Sequence, residues 1–134
     1  MRAKRIRNTP GNEKGQSLVE FALVVPLLLI LVLGIEEFGR AWMAKNILTG
    51  AAREAVRILA VPPGSITPQA RADNVLRSAG ITTASIAVAD PPGAFAAVSV
   101  TIAYDFPVLF AGFIPGLDNA TIPLSSTTTM RREF

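Results

Sequence analysis

Gly15-Gln16-Ser17-Leu18-Val19-Glu20-Phe21 opens an apolar run in which no further charge appears until Glu36. Residues 21–35 are uncharged, and at 1.5 Å per residue they reach about 22 Å, short of a hydrocarbon core about 30 Å thick. Counting from Gln16 to Ile35 extends the reach to about 30 Å, so a full span draws Glu20 into the bilayer. A carboxylate there needs a partner, and the plainer alternative is that it reaches back to the headgroups. Pro26 lies inside the run, where its missing N–H and its ring are expected to bend or locally open the helix.

Ahead of the run, residues 1–14 hold Arg2, Lys4, Arg5, Arg7 and Lys14 together with Pro10, Gly11 and Asn12. The segment shows no apolar periodicity and reads as unstructured. Its charge sets a topology, with the amino terminus cytoplasmic and the carboxyl terminus outside, because Lys and Arg flanking a span stay inside while Glu36 and Glu37 follow it. A cleaved secretory signal is disfavoured. The apolar run exceeds a usual signal core and leads into Glu36, Glu37 and Arg40 with no small-x-small site at its end.

Gly15, four residues, then Glu20-Phe21 resembles the prepilin peptidase site of type IV pilins, in the Gly-x4-Glu-Tyr/Phe form of the tight adherence (Tad) pilus. The longer pattern is similar to the TadE-like pseudopilins. It runs through Leu18-Val19-Glu20-Phe21-Ala22-Leu23-Val24-Val25-Pro26, Gly34-Ile35-Glu36-Glu37-Phe38-Gly39-Arg40 and Ala51-Ala52-Arg53-Glu54-Ala55-Val56-Arg57. The closing Met130-Arg131-Arg132-Glu133 also looks like the ends of such chains, whereas residues 61–120 carry no diagnostic motif.

The resemblance implies cleavage between Gly15 and Gln16, with Phe21 part of the recognised motif. Glu20 then becomes the fifth mature residue, placed to pair with the new ammonium of a neighbouring subunit. The partners implied are the prepilin peptidase, the other pilins and pseudopilins of the Tad system, and its inner-membrane assembly platform. Residues 61–134 follow the long helix, while the major Tad subunits are little more than that helix, so a minor pilin for fibre initiation or tip formation in adhesion or secretion is the expected role. The alternative is an uncleaved single-pass inner-membrane anchor whose periplasmic head binds a partner in an envelope complex.

Composition supports an assembly component. The chain has 134 residues, half of them apolar, which allows one small domain beside a membrane helix. Five of its 13 Lys and Arg and one of its 10 acids lie in residues 1–15, so removing them takes away a net +4 and leaves −1. The high isoelectric point belongs to the leader, and nucleic-acid binding loses its footing because it needs basic residues clustered on the folded part. There is no Cys and no His, which removes disulfide scaffolds, thiol nucleophiles, imidazole bases and the usual zinc sites. Catalysis would fall to Glu36 and Glu37 or to Asp105 and Asp118. Adjacent helix residues diverge by about 100°, and no third group orients them. The expectation is a non-enzyme without cofactor or metal.

The three expected segments are a leader over residues 1–15, a membrane span over 16–35 and a periplasmic head over 36–134. Within the head the first helix continues to about residue 60, stopped by Pro62-Pro63-Gly64. Ile35, Phe38, Trp42, Thr49, Ala52, Val56 and Leu59 fall at helical spacing, with Lys45 in the stripe. From Thr49 onward this stripe is read as the side covering a sheet. Phe38 and Trp42, nearer the membrane, are read as an aromatic belt or a contact with a neighbour's helix.

Thr67 as N-cap and Pro68 at the first helical position open a second helix over about 67–79, with Ala72, Val75, Leu76 and Ala79 on one face before Gly80. The period then changes to two. Strands are expected at about 84–90, 96–106 and 121–131, the first two a hairpin turned at Asp90-Pro91-Pro92-Gly93. The fold class is therefore α+β, a small three-stranded antiparallel sheet resting on the long helix, in a pilin-like layout. Residues 106–117 form an apolar arm too irregular for a strand, which either folds over the edge of its own sheet to complete a small core or stands exposed as a partner surface, with Phe110 and Phe113 as candidate partner-interface residues alongside Phe38 and Trp42.

Overall fold

The computed structural model describes residues 11–61, 64–113 and 116–133. The basic residues Arg2, Lys4, Arg5 and Arg7 and the helix-stopping Pro62-Pro63 lie outside the described residues. The elements run in the order α1 (Gly11–Ala60), α2 (Pro68–Ser78), β1 (Ser85–Ala89), β2 (Ala97–Pro107), a 3-10 turn (Leu109–Phe113) and β3 (Thr121–Arg131). The class is α+β, as the change of period after Gly80 predicts. The Cα framework divides into two compact units, residues 1–36 and 37–134.

In the first unit the described residues are helical throughout. The helix begins at Gly11, so residues 11–14, expected to be unstructured, belong to it. No proline follows Pro10 until Pro26, and one or two glycines cost a helix only about 1 kcal/mol each. Nor does the helix open at Pro26, where the α-helical assignment is unbroken; a single proline removes one bond while the turns on either side keep theirs. Leu18, Phe21, Leu23, Leu27 and Ile30 are exposed. By length and composition α1 is able to cross a membrane.

The second unit is a three-stranded antiparallel sheet in the order β1-β2-β3 with helices beside it. Val88 pairs with Val100 across the first ladder, and Val100 with Thr128 across the second. Strand residues alternate between faces, and Val98, Val100, Ile102 and Phe106 of β2 turn into one core with Leu48, Ala51, Ala52, Ala55 and Val56 of α1 and Ala72 and Leu76 of α2. On the opposite face Thr101 and Thr127 hydroxyls meet at 2.9 Å across the strands.

α2 is built as its caps predict. Thr67 Oγ1 accepts from the Ala70 amide at 3.2 Å, and Pro68 occupies the first turn. Gly80, at φ 80°, lets the chain reverse so that the Ile81 amide reaches the Leu76 carbonyl at 2.9 Å. An ion pair between Arg71 and Glu54 at 3.3 Å joins α2 to α1.

From Thr49 onward the stripe on α1 faces inward as expected, and Phe38 and Trp42 stand outside the core. Ala52 and Val56 are buried and Thr49 and Leu59 half-buried, but the buried line continues through Ala55, Ala51, Leu48 and Ala44. Ile35, Phe38 and Trp42, the larger residues of the expected stripe, are exposed. Most of this buried line is alanine, with Leu48 and Val56 its larger members. The expected arm is also partly regular: Phe106 and Pro107 end β2, and the 3-10 turn follows.

Candidate functional site

The residues expected to matter for processing share one helix. Gly15 sits in α1 with open space where a Cβ would stand, and Gln16, Leu18, Glu20 and Phe21 are exposed around it. One helical turn brings Gln16 and Glu20 together: Gln16 Nε2 donates to Glu20 Oε1 at 3.1 Å. In the uncut chain the acid therefore accepts from the side chain of the residue whose backbone nitrogen would become the new terminus.

Past the apolar run, a second group of residues forms a network that the sequence reading missed. Arg40 Nη1 donates to both oxygens of Glu37 at 3.0 and 3.1 Å, and its guanidinium lies 5.0 Å from the centre of the Phe106 ring. The same Glu37 accepts from the backbone amide of Leu109 at 3.3 Å. Glu37, weighed above as half of an acid–base pair, thus holds the start of the 3-10 turn against α1. Its i,i+3 spacing from Arg40 was visible in the sequence. The partner 72 residues away was not.

The four candidate interface residues fare differently. Phe38 and Trp42 stack with ring centres 6.2 Å apart and are 69% and 61% exposed. With Ala41, Lys45 and residues 122–125 at the start of β3 they line an open groove of about 450 Å³, at whose edge Lys45 Nζ donates to the Ser125 carbonyl. Phe110 is half-buried in the 3-10 turn. The side chain of Phe113 lies outside the described residues. Among the described residues no three acids gather as a metal site would require.

Comparison with protein families bears on both of these regions. Residues 15–57 match the family model of TadE-like proteins. The match begins at Gly15, the residue expected to precede the cut, and ends within the last turn of α1. The matched segment contains Glu20, the apolar run, the Glu37–Arg40 pair and Trp42, while α2 and the sheet lie beyond it. No curated protein and no solved structure matches the chain. By its long apolar helix the chain fits a single-pass membrane protein, and over residues 15–57 it is similar to TadE-like proteins.

Proposed function

We propose that this protein is a non-enzymatic pseudopilin of a Tad (type IVb) pilus, held in the inner membrane with its amino terminus cytoplasmic and its head periplasmic. The prepilin peptidase cuts it between Gly15 and Gln16. The matured subunit joins other pilins and pseudopilins at the inner-membrane assembly platform and takes part in fibre initiation or tip formation. The observation that carries this reading is the placement of Glu20. A single acid stands near the entrance of an exposed apolar helix, five residues after a glycine counted from the new terminus, inside a segment that matches the TadE-like family. In hydrocarbon such a charge is sustained by an opposite one, and a neighbour's Gln16 ammonium supplies it.

The decisive experiment is the mass of the amino-terminal peptide of protein extracted from membranes with an active prepilin peptidase. Gln16 at the terminus is the expected result, with Gly15→Asp leaving the precursor inserted and uncut. An intact Met1 in the unsubstituted protein supports a second reading, an uncleaved single-pass anchor whose head binds a partner in an envelope complex. The continuity of α1 through the Gly15–Gln16 bond favours this second reading, since a peptidase must first unwind that turn.

A further inference from the structure

β3 lies at one edge of the sheet, paired with β2 alone. The Val108 amide donates to the Ala120 carbonyl at 3.0 Å and the Arg132 amide to the Ala96 carbonyl at 2.9 Å. Continued along the ladder, this pattern turns the backbone groups of the even-numbered residues of β3 to β2 and those of the odd-numbered residues to the open edge. Both ends of that edge are closed. Pro123 has no N–H to offer, Lys45 Nζ donates to the Ser125 carbonyl, and the Glu133 amide donates to the Ala60 carbonyl. Between these stops Thr127 and Thr129 are exposed, and nothing among the described residues bonds to their backbone groups. Sheet edges are ordinarily guarded by charge, proline or cover, and an unguarded stretch is a template for another strand.

We infer that this gap is a strand-addition site: an extended segment of another protein, bearing a carboxylate, joins the head as a fourth strand beside β3 and sets its acid against Arg53. The inference uses residues of the head alone and does not depend on cleavage, membrane crossing or pilus assembly.

The position of Arg53 supplies the chemistry. α1 runs in the same sense as β3, since Lys45, Thr49 and Ala60 meet Ser125, Ser126 and Glu133 in turn. Arg53 follows Thr49 by one turn on the same side of the helix. That turn rises about 5.4 Å, close to the about 6.8 Å that two residues advance along a strand, so Arg53 stands level with Thr128. Arg53 is exposed, and no acid pairs with it among the described residues. Ser126 faces α1, and by the alternation of a strand so do Thr128 and Met130. In an added strand the residue opposite Thr128 therefore faces α1 too, where a carboxylate meets Arg53 with Lys45 nearby. An apolar residue two places along rests beside Met130, which is 38% exposed. Charge argues against a second copy as the occupant. Two copies joined antiparallel through their three threonines would set Arg53 against Arg53 on one side of the junction, and like charges so placed repel.

The test uses the full chain in detergent micelles and two end-capped peptides of alternating Thr and Val, one with Glu and the other with Lys at the central Val position. Amide hydrogen exchange is read at single residues. At a concentration of the Glu peptide about ten times its dissociation constant, exchange at Thr127 and Thr129 is expected to slow by about tenfold. Thr128, whose amide already lies in the sheet, should not respond, and the Lys peptide should have no effect. Arg53→Glu should reverse the preference between the peptides. Thr129→Pro, which removes an outward N–H as Pro123 does, should abolish the protection at Thr127 while Val100 exchanges as before. No slowing with either peptide, or equal slowing with both, overturns the inference. So does protection without peptide that rises with protein concentration, which would make a second copy the occupant. An unchanged preference in Arg53→Glu overturns the assignment to Arg53 whether or not the proline variant folds.

Discussion

The backbone amide of Glu133 donates to the carbonyl of Ala60 at 2.9 Å, so the end of the chain satisfies one of the carbonyls that the last turn of α1 leaves without a helical partner. Arg132 beside it acts on the hairpin loop. Its guanidinium is ion-paired with Asp90 and donates to the carbonyls of Pro91 and Gly93 at 3.3 and 3.1 Å, while its amide reaches Ala96 at 2.9 Å. Arg132→Ala is expected to destabilise the head by about 1–3 kcal/mol, since it strips partners from several polar groups at once. Asp90→Asn should cost less because Asp90 is exposed. Urea unfolding of residues 36–134 at constant m value is the measurement, and an unchanged midpoint for Arg132→Ala would remove the clasp.

The two faces of α1 make opposite predictions. Leu48 is fully buried among β2 and α2 side chains, so Leu48→Ala should cost about 2–5 kcal/mol in the same assay. Trp42→Ala, although it removes a far larger side chain, should stay within about 0.5 kcal/mol in that assay because Trp42 is exposed. A large loss at Trp42 would mean that the exposed face belongs to the core.

This contrast shows what the sequence conveyed and what it hid. β1, β2 and β3 were legible within a residue or two because Val98, Val100, Ile102 and their neighbours alternate with polar residues, and only a strand gives that period two faces. Thr67-Pro68 and Gly80 marked α2 for equally local reasons. The inward side of α1 was legible from Thr49 onward through Ala52 and Val56, whereas Ala44, Leu48, Ala51 and Ala55 of the buried line were left out because most of them are alanines, which carry little hydrophobic signal. Near a membrane the largest apolar residues need not mark the protein core. The Glu37–Leu109 contact was invisible for a different reason, since it joins residues that only the fold brings together. Gly15, Glu20 and Phe21, expected as a processing motif, lie within seven consecutive residues, so that expectation needs no knowledge of the fold.

Thr49 and Ser126 offer a test of helix–sheet docking. Their hydroxyls lie 3.0 Å apart, with Ser126 the buried polar residue of β3. Ser126→Ala and Thr49→Val should each cost roughly 1 kcal/mol, and the double variant less than their sum, leaving a coupling of about 0.5–1.5 kcal/mol. Strict additivity in a double-mutant cycle would show that the two hydroxyls act independently.

Glu20 separates the role of the charge from that of the helix. Glu20→Ala and Glu20→Gln should permit cleavage at Gly15 but reduce piliation sharply, because an ammonium left unpaired in a dry interface costs several kcal/mol. Gln16→Ala keeps the new amine while deleting the side-chain bond to Glu20, so it should assemble normally. Immunoblots for cleavage and sheared-pilus yields at matched protein levels decide the matter. Normal piliation by Glu20→Ala would eliminate the pairing.

The segment after β2 divides into core and surface within four residues. Phe106 is buried beneath the Arg40 guanidinium, Phe110 is half-buried and Leu109 is exposed. Phe106→Ala should therefore cost about 3–5 kcal/mol, Phe110→Ser less, and Leu109→Ser no more than about 0.5 kcal/mol. Glu37 connects this gradient to α1, since its carboxylate accepts from the Leu109 amide at 3.3 Å. Glu37→Gln leaves an acceptor but weakens both the bond to Leu109 and the ion pair with Arg40. Amide hydrogen exchange at Leu109 in the full chain should then accelerate by about tenfold, equivalent to about 1.4 kcal/mol of local opening, while Val100 in the sheet exchanges as before. Equal acceleration at both amides would mean that Glu37 stabilises the whole head, and no acceleration at either would mean that the turn holds its place without it.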